Sequence, residues 1–420
     1  MGAGVTRRTL CEAALAPLGH REFRLLFAGR VTSFIGSAMA PIALAFAVIH
    51  LGGSPTDLGL VVAVGVVPLI VFLLVGGVIA DRIPKNVVMV WSNVGAAAVQ
   101  GVAAGLLLAG VAEIWHLAAI SLARGTISAL FFPASSAIVP QTVPRSLLQP
   151  ANALLRLGIN GTNVGGAALG GLIVGLAGPG WALLVDAASY LVSAVVLALM
   201  RVESPADAGA RLFLAELKLG WRAFAARTWL WVVVIAFAFG NALESGAMTV
   251  LGPIVAEQSL GGATTWGLVL AAQGIGLVAG GLVAGGLVAL RIQARRPLLF
   301  GVLGACALPL PIVLLAIPAP AIAIAAGAFA LGVGIEVFAV NWDLSVQGHV
   351  PAELLSRVYA WDAVGSIALM PIGLAIVGPI AETAGTSAAL WGCAALGLLA
   401  MTAQLLVRDV RELGRPALDA

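Results

Sequence analysis

Twelve long apolar runs divide the sequence, and each has the length that an α-helix needs to cross a bilayer. Hydrophobic residues make up 61% of the 420 positions and charged residues 10%, whereas about 25% of the residues in a soluble domain are charged. The runs are also too long and too uniformly apolar for transmembrane strands, which alternate in polarity. They lie at about 24–49, 58–80, 87–110, 114–139, 152–177, 181–200, 229–256, 264–290, 297–316, 320–346, 358–381 and 387–407. The sequence therefore predicts an all-α membrane protein with twelve transmembrane helices.

The composition also excludes several kinds of chemistry. Basic residues are too few for a surface that follows a phosphate backbone, which excludes nucleic acid as a partner. The two lysines, Lys85 and Lys218, lie outside any G-x-x-x-x-G-K-[ST] motif, so this chain has no nucleotide-driven pump. The three cysteines and four histidines are scattered, and we expect no metal site or other cofactor. Without a nucleophile–base pair or metal-ligand spacing, we do not expect an enzyme.

The basic residues lie almost entirely on one side of the predicted membrane. Of the 22 Lys and Arg residues, three lie inside apolar runs, and the other 19 lie at the termini or at the loops that follow even-numbered runs. The charged residues of the opposite loops are all acidic, and they are Asp57, Glu113, Glu257 and Glu382. We name the two sides the basic end and the acidic end. Because basic loops stay in the cytoplasm, the sequence predicts a multi-pass protein of the plasma membrane with both termini cytoplasmic.

Two short motifs recur with nearly the same separation along the chain. Val143–Leu148, after the fourth run, matches Val350–Leu355, after the tenth. Gly77–Ile83, at the end of the second run, matches Gly286–Ile292, at the end of the eighth. The chain is therefore interpreted as a duplicated six-helix unit. Since six is even, both units enter the membrane from the same side and are related by an axis along the membrane normal.

The duplication predicts where the domains begin and end. Residues 1–200 form an N-terminal six-helix bundle, and residues 229–420 form a C-terminal one. The connection at 201–228 is long and polar. Its second half, Leu212–Phe224, has apolar residues at helical spacing with basic residues on the other side, which predicts an amphipathic helix on the membrane surface.

Three motifs resemble those of the major facilitator superfamily. Gly77-x-x-Ala80-Asp81-Arg82-x-Pro84-Lys85 resembles the superfamily motif in the loop between the second and third spans. Arg124-Gly125 is similar to the arginine-centred motif in the fourth span of proton-coupled members. Gly165–Gly171 resembles the glycine-rich motif in the fifth span of antiporters, with Ala167 where a proline is common.

Two further segments resemble one branch of that superfamily, which contains the enterobactin exporter and macrolide-efflux proteins. They are Pro150–Leu154 and Arg357–Ala360. The resemblance to the superfamily covers about residues 20–410. It implies two parallel six-helix bundles that rock around a central cavity, with the first, fourth, seventh and tenth spans lining that cavity.

Four charged residues lie inside the runs that would line the cavity. Arg30 and Arg124 lie in the first and fourth runs, and Glu244 and Glu336 lie in the seventh and tenth. A charge at the bilayer centre costs about 2.5–3.5 kcal/mol on insertion scales, so each of the four needs a role. We expect them to meet in one cavity and to load and release a proton there. Static ion pairs between helices are the alternative.

Three other charges lie nearer the ends of their runs. We interpret Arg156 as a side chain that extends to the membrane interface. Asp186 and Asp362 are interpreted as interfacial or helix-end groups.

Polar and aromatic residues of the same runs are candidates for contact with substrate. The amides and the indole can hydrogen-bond a ligand, and a pair of phenylalanines can stack on an apolar one. Packing between helices is the alternative. The candidates are Asn241, Asn341, Trp342, Gln347, Phe131 and Phe132.

A cytoplasmic gate is predicted at the end of the second run. By analogy with the superfamily, the Asp81 carboxylate meets the positive N-terminal end of the eleventh helix, near Arg357. Arg82 and Lys85 would add ion pairs, and Gly77 belongs to the same motif. The alternative is that the basic residues only anchor the loop in the cytoplasm.

The sequence thus favours a monomeric secondary-active exporter of lipophilic drug-like compounds or secondary metabolites, which needs no cofactor and is driven by the proton gradient. A wide apolar cavity with few charges suits amphipathic ligands better than sugars. Its expected partners are a small-molecule substrate, protons and membrane lipid. A proton-coupled uptake symporter is the first alternative. A receptor or assembly factor without transport activity is the second.

Overall fold

The computed structural model describes residues 15–80, 84–202, 213–289, 295–317 and 319–414. Twelve helical rods of the described chain correspond to the twelve apolar runs, and we number them α1 to α12. They are α1 (Arg21–His50), α2 (Pro55–Ala80), α3 (Lys85–Leu108), α4 (Ile114–Ala137), α5 (Leu148–Ala177), α6 (Pro179–Ala198), α7 (Thr228–Leu260), α8 (Ala263–Ala289), α9 (Pro297–Ala305 with Pro309–Ala316), α10 (Ala321–His349), α11 (Leu355–Ile367 with Met370–Ala384) and α12 (Thr386–Ala403).

The all-α prediction is confirmed for the described residues. Eleven of the helices are long and apolar enough to cross a membrane, and α2 contributes the shorter apolar segment Pro55–Val71. Two helices, α9 and α11, are each broken into two segments. α9 restarts at Pro309, and the second part of α11 has a proline in its first turn, where the missing N–H is tolerated. The helix predicted at Leu212–Phe224 is present as Phe213–Ala225, which we name the linker helix.

The helices form two bundles that pack in the same way. In the first bundle α1 contacts α5 and α6, α2 contacts α4, and α3 contacts α6. The second bundle repeats these pairings, with α7 against α11 and α12, α8 against α10, and α9 against α12. The two bundles meet through α5 against α8 and α2 against α11, which are equivalent pairs. The fold is therefore two parallel six-helix bundles, as the internal repeat predicts.

Glycines let the two bundles touch in the half of the molecule next to the acidic end. A Cβ built on Gly171 of α5 would lie 2.8 Å from the Cα of Gly267 in α8, and the reverse distance is the same. A Cβ on Gly378 of α11 would lie 2.5 Å from the Cα of Thr56 in α2. Small residues at these positions allow the backbones to approach closely.

Polar contacts join the bundles at the same end. The backbone N–H of Thr56 donates to Glu382 Oε1 over 3.0 Å, and His50 Nε2 lies 3.8 Å from Glu257 Oε1. The buried apolar residues show the same asymmetry. One cluster toward the acidic end contains residues of both bundles, whereas toward the basic end each bundle has a cluster of its own. The acidic end is therefore closed in this structure.

Candidate transport cavity

A cavity of about 420 Å³ lies between the two bundles. The first bundle lines it from α2, α4 and α5, and the second from α7, α10 and α11. Trp342 and Asp343 lie about two turns from the end of α10 at His349, and Asp362 lies about two turns after α11 begins at Leu355. Both of those helix ends belong to the basic end. The cavity therefore lies in the basic half of the molecule, on the opposite side from the closed end. Its lining residues are Leu69, Phe132, Arg156, Val233, Val234, Phe237, Phe338, Ala339, Trp342, Asp343, Asp362, Ala363, Ser366 and Ile367.

Aromatic rings build the wall of the cavity on the side of the second bundle. Phe237 and Phe338 stack with their centroids 4.1 Å apart, and Phe338 stacks on Trp342 at 5.8 Å. Trp229 meets Trp342 edge-on at 5.6 Å. From the first bundle Phe132 projects toward this wall with 43% of its surface exposed. The cavity thus offers a large apolar surface with rigid aromatic side chains.

Three charged side chains line the cavity, and two of them bridge the bundles. Arg156 Nη2 of α5 lies 4.0 Å from Asp343 Oδ2 of α10. The Tyr359 hydroxyl donates to Asp343 Oδ1 over 3.0 Å. Asp362 accepts hydrogen bonds from Trp342 Nε1, over 2.9 Å, and from the Ser366 hydroxyl, over 3.2 Å. The lining therefore contains two carboxylates and one guanidinium.

The sequence interpretations of these charges need correction. Arg156 does not extend to the membrane interface, because it faces the cavity and the other bundle. Asp362 is a cavity residue that α10 holds in place, and not a free helix-end group. Asp343 was not predicted as a site residue from the sequence. Its signal was its position seven residues after Glu336, since residues seven apart lie on one face of a helix.

The four charges that were expected to meet in one cavity lie in separate surroundings. Glu244, midway along α7, lies beside the side chain of Gln273 in α8. Glu336 lies beside Gly280 and Gly281 of α8 and faces the charge of Arg156.

The two arginines of the first bundle are held within that bundle. Arg30 of α1 is 8% exposed, donates to the carbonyl oxygen of Ser135 over 3.4 Å and lies 5.7 Å from the centre of the Phe34 ring. Arg124 of α4 lies beside Tyr190 of α6, and the two line one small pocket. The structure therefore places each of these arginines beside partners of its own bundle.

Arg124 has an acidic neighbour that corrects another sequence interpretation. Asp186 of α6, interpreted as an interfacial group, is 0% exposed and interacts with Arg124. The interpretation was wrong because three neighbouring helices cover this side chain, although it lies only about two turns from the start of α6.

The polar substrate candidates divide between the cavity and the protein interior. Trp342 and Phe132 line the cavity. Asn241 donates to the carbonyl oxygen of Ser366 over 2.9 Å, and Asn341 donates to the carbonyl oxygen of Val337 in its own helix over 2.8 Å. Phe131 is 9% exposed and packs on Phe34 with centroids 6.5 Å apart. In this state the Asn241 amide links α7 to α11, whereas the Asn341 amide bonds within α10.

Part of the predicted gate lies outside the described residues. Asp81 and Arg82 belong to that part, and Gly77 lies in α2. Lys85 begins α3 and is 6% exposed. Arg357 packs against Gly220 of the linker helix, which thus contacts the first turn of α11. The role of these residues as a gate stays a prediction.

α7 departs from regular α-helical geometry directly after Glu244. Residues Gly246–Leu251 and Ala256–Leu260 form two π-helical turns. Such wider turns are uncommon and occur frequently at functional sites. They place an irregular segment of backbone between Glu244 and the contacts at the acidic end.

A larger apolar groove of about 630 Å³ lies between α7, α11 and α12. Ile372, Ile376, Leu396 and Leu399 line it and expose about half of their surfaces or more. Its lining contains no charged side chain. The groove faces outward from the second bundle and is therefore distinct from the cavity between the bundles.

The sequence matches a family model described as transmembrane secretion effector, MFS_3, over residues 12–419. The chain belongs to this family. It is thus a multi-pass membrane protein of the major facilitator type, and the expectation that it is not an enzyme is confirmed by that membership.

Two curated relatives of this chain come from Bacillus subtilis (strain 168). The uncharacterized MFS-type transporter YvqJ is 24% identical over 263 residues, which are 61% of this chain and 62% of YvqJ. The uncharacterized MFS-type transporter YfiS is 27% identical over 173 residues, which are 41% of this chain and 40% of YfiS. The matched regions thus span less than two thirds of either relative.

Solved transporters share the fold. The nucleoside transporter NupG superposes with a TM-score of 0.72 at 12% identity, covering 91% of this chain and 98% of NupG. A mutant form of the peptide transporter POT superposes with a TM-score of 0.71 at 13% identity, covering 94% of this chain and 96% of its own. At these identities the likeness establishes the major facilitator fold of the transporter.

Proposed function

We propose that the protein is a transporter, a proton antiporter that exports lipophilic drug-like compounds or secondary metabolites, as the enterobactin-exporter and macrolide-efflux branch does. The observation that carries this proposal is the aromatic cavity between the bundles. It lies on the basic side while the acidic end is closed. With the basic end in the cytoplasm of the plasma membrane, the cavity is accessible to substrate from the cytoplasm or from the inner leaflet. The family description, transmembrane secretion effector, supports the outward direction.

Alternating access follows from the way the bundles touch. Closing the basic end and separating the α5–α8 and α2–α11 contacts would expose the same cavity to the acidic side. The transporter acts as a monomer in this scheme, because each bundle supplies one wall of the cavity. Glu244 is the proposed proton carrier of the second bundle, since a buried carboxyl with an amide partner exists readily in the neutral form.

The direction and coupling are tested in everted membrane vesicles, whose interior is acidified by respiration. Addition of substrate to the outside should raise the internal pH, because each exported molecule enters the vesicle as a proton leaves. A pH-sensitive acridine dye reports this change. Uptake symport would leave the dye signal unchanged when substrate is added outside, and would thereby contradict the proposal.

The charges of the cavity favour a substrate that carries a positive group on an apolar body. Two carboxylates face one guanidinium, so a cation would neutralise the remaining negative charge, and aromatic faces attract cations as well. We infer that Asp362 and Asp343 provide this attraction.

We predict that Asp362→Asn weakens recognition of cationic substrates. The asparagine oxygen can still accept the hydrogen bond of Trp342, so the fold should persist. A partly exposed charge pair is worth about 1 kcal/mol, which predicts a roughly fivefold rise in KM for a cationic dye. KM for a neutral dye of similar size serves as the matched control and should stay unchanged. An equal rise for both dyes would show that Asp362 does not select charge.

A further inference from the structure

One carboxyl group of the first bundle is buried without a full set of partners. Asp186 is 0% exposed. Its Oδ2 accepts a hydrogen bond of 2.6 Å from Gln100 Nε2 of α3. Its Oδ1 has no hydrogen-bond partner among the described residues. Burial of an ionised carboxylate costs several kcal/mol unless its oxygens are paired, so the missing partner calls for an explanation.

Within the described chain, the guanidinium of Arg124 has an unpaired donor that complements the unpaired oxygen of Asp186. Its Nε–H also lacks an acceptor among the residues that the structure describes, although its side chain lies beside Tyr190. A movement of Arg124 toward Asp186 that brings its Nε–H to Oδ1 would give both atoms a partner. The network thus has two arrangements: the one observed, which suits a neutral carboxyl, and one with a direct ion pair, which suits an ionised carboxylate.

Few other groups can influence this carboxyl. The titratable side chains that interact with it, within the described chain, are Arg124 of α4 and Tyr190 of its own helix. α3 contributes the neutral Gln100, and α1 contributes Ser37, whose hydroxyl lies 2.7 Å from the Tyr190 hydroxyl. Among the described residues, no second carboxylate belongs to the network. The protonation state of Asp186 therefore decides the net charge of the network.

A pocket of about 120 Å³, which we name the polar pocket for its serine, asparagine, arginine and tyrosine side chains, lies beside the network. Arg124, Tyr190 and Ser37 line it, together with Asn93. Phe132 lines both this pocket and the cavity between the bundles. Asp186 does not line the pocket itself, whereas Arg124 and Tyr190 do, so water in the pocket would reach Asp186 through these two side chains and not through the aromatic wall of the second bundle.

The backbone of α1 passes directly over the carboxyl. A Cβ on Gly36 would lie 2.7 Å from Asp186 Oδ1 and would overlap Ser189. The same helix ends at His50, which contacts Glu257 of the second bundle. A rearrangement around Asp186 therefore acts on a helix that helps to close the acidic end.

We propose that Asp186 is a second proton-binding site, located inside the first bundle and separate from the substrate cavity and from Glu244. The carboxyl holds its proton in the observed state. When Arg124 moves to Oδ1, the O–H bond breaks, the proton passes to water in the polar pocket, and the carboxylate–guanidinium pair forms. The link of this step to substrate movement rests on the proposed antiport.

Infrared difference spectra between acidic and alkaline buffer test proton binding directly in the reconstituted full-length protein. The wild-type spectrum should contain a C=O band of a protonated carboxyl that Asp186→Asn removes. Asp362→Asn is the matched control and should keep that band. An unchanged band in Asp186→Asn would overturn the proposal.

A second variant covers the case in which Asp186→Asn does not assemble. In protein labelled with ¹³C at the aspartate carboxyl, the band should shift in the wild type. In Asp186→Glu the band should persist without responding to the label, because the acid is now a glutamate. A band that still responds to the label would assign it to another aspartate and contradict the proposal.

The coupling is tested by the pH profile of export in the same everted vesicles. Export by Asp186→Asn should lose its dependence on external pH, whereas a merely structural defect would lower the rate at every pH alike. Loss of the infrared band with a wild-type pH profile would overturn the coupling. If the wild type exchanges no protons for substrate, the antiport proposal fails, yet the infrared band still decides whether Asp186 binds a proton.

Discussion

Gly171→Val should nearly abolish transport, because it prevents the two bundles from closing at the acidic end. A Cβ at this position would lie 2.6 Å from the carbonyl oxygen of Ala263 and 2.8 Å from the Cα of Gly267. Both are backbone atoms, which cannot move aside as a flexible side chain could. Overpacking of this kind costs about 1–3 kcal/mol, which corresponds to a roughly 5- to 150-fold change in the population of the closed state.

The measurement is the distance between spin labels at the acidic end. Leu176 of α5 and Gln258 of α7 are exposed and can be replaced by labelled cysteines after the native cysteines are removed. Double electron–electron resonance should report longer distances between the two labels for Gly171→Val than for the wild type. Gly161→Val is the matched control, because it lies on the same helix and a Cβ there meets nothing within 4 Å. Equal distances in both variants, with transport retained, would refute this role for Gly171.

The sequence predicts the helices well because the membrane imposes both a length and a polarity on each of them. The helix ends agree to within a few residues for most runs, and the amphipathic linker helix is found where its pattern predicts it. The breaks in α9 and α11 were missed because hydropathy does not respond to them. Pro309 and Pro371 were the available signals, since a proline removes one backbone donor.

The candidate site was predicted less well, because partners come from helices that are distant in sequence. Depth along a run suggested that Asp186 and Asp362 were interfacial, but their surroundings depend on Gln100 in α3 and Trp342 in α10. The partner of Arg156 is Asp343 of the second bundle, so this pair depends on how the two bundles pack together. Position along a helix can be predicted from sequence, whereas the pairing of buried charges follows from packing that periodicity does not specify.

Glu244→Gln should fold normally and lose uphill export. If Glu244 formed an ion pair with Arg124 or Arg30, its replacement would leave a buried charge unpaired at a cost of about 3–5 kcal/mol. The side chain found beside Glu244 is the neutral amide of Gln273. The substitution therefore leaves no charge unpaired, and the new glutamine amide can face Gln273 in place of the carboxyl group. Expression and thermal unfolding should therefore match the wild type within about 1 kcal/mol.

Loss of the proton carrier should nevertheless uncouple substrate movement from the gradient. One pH unit provides about 1.4 kcal/mol, and one-for-one exchange could then sustain a roughly tenfold substrate gradient. We expect proteoliposomes with Glu244→Gln to show no accumulation under this gradient, while counterflow without a gradient continues. Glu412→Gln is the matched control, since it makes the same change at an exposed glutamate that lies beyond the end of α12. Wild-type accumulation by Glu244→Gln would exclude it as the proton carrier and make Glu336, which faces Arg156 in the other bundle, the next residue to test.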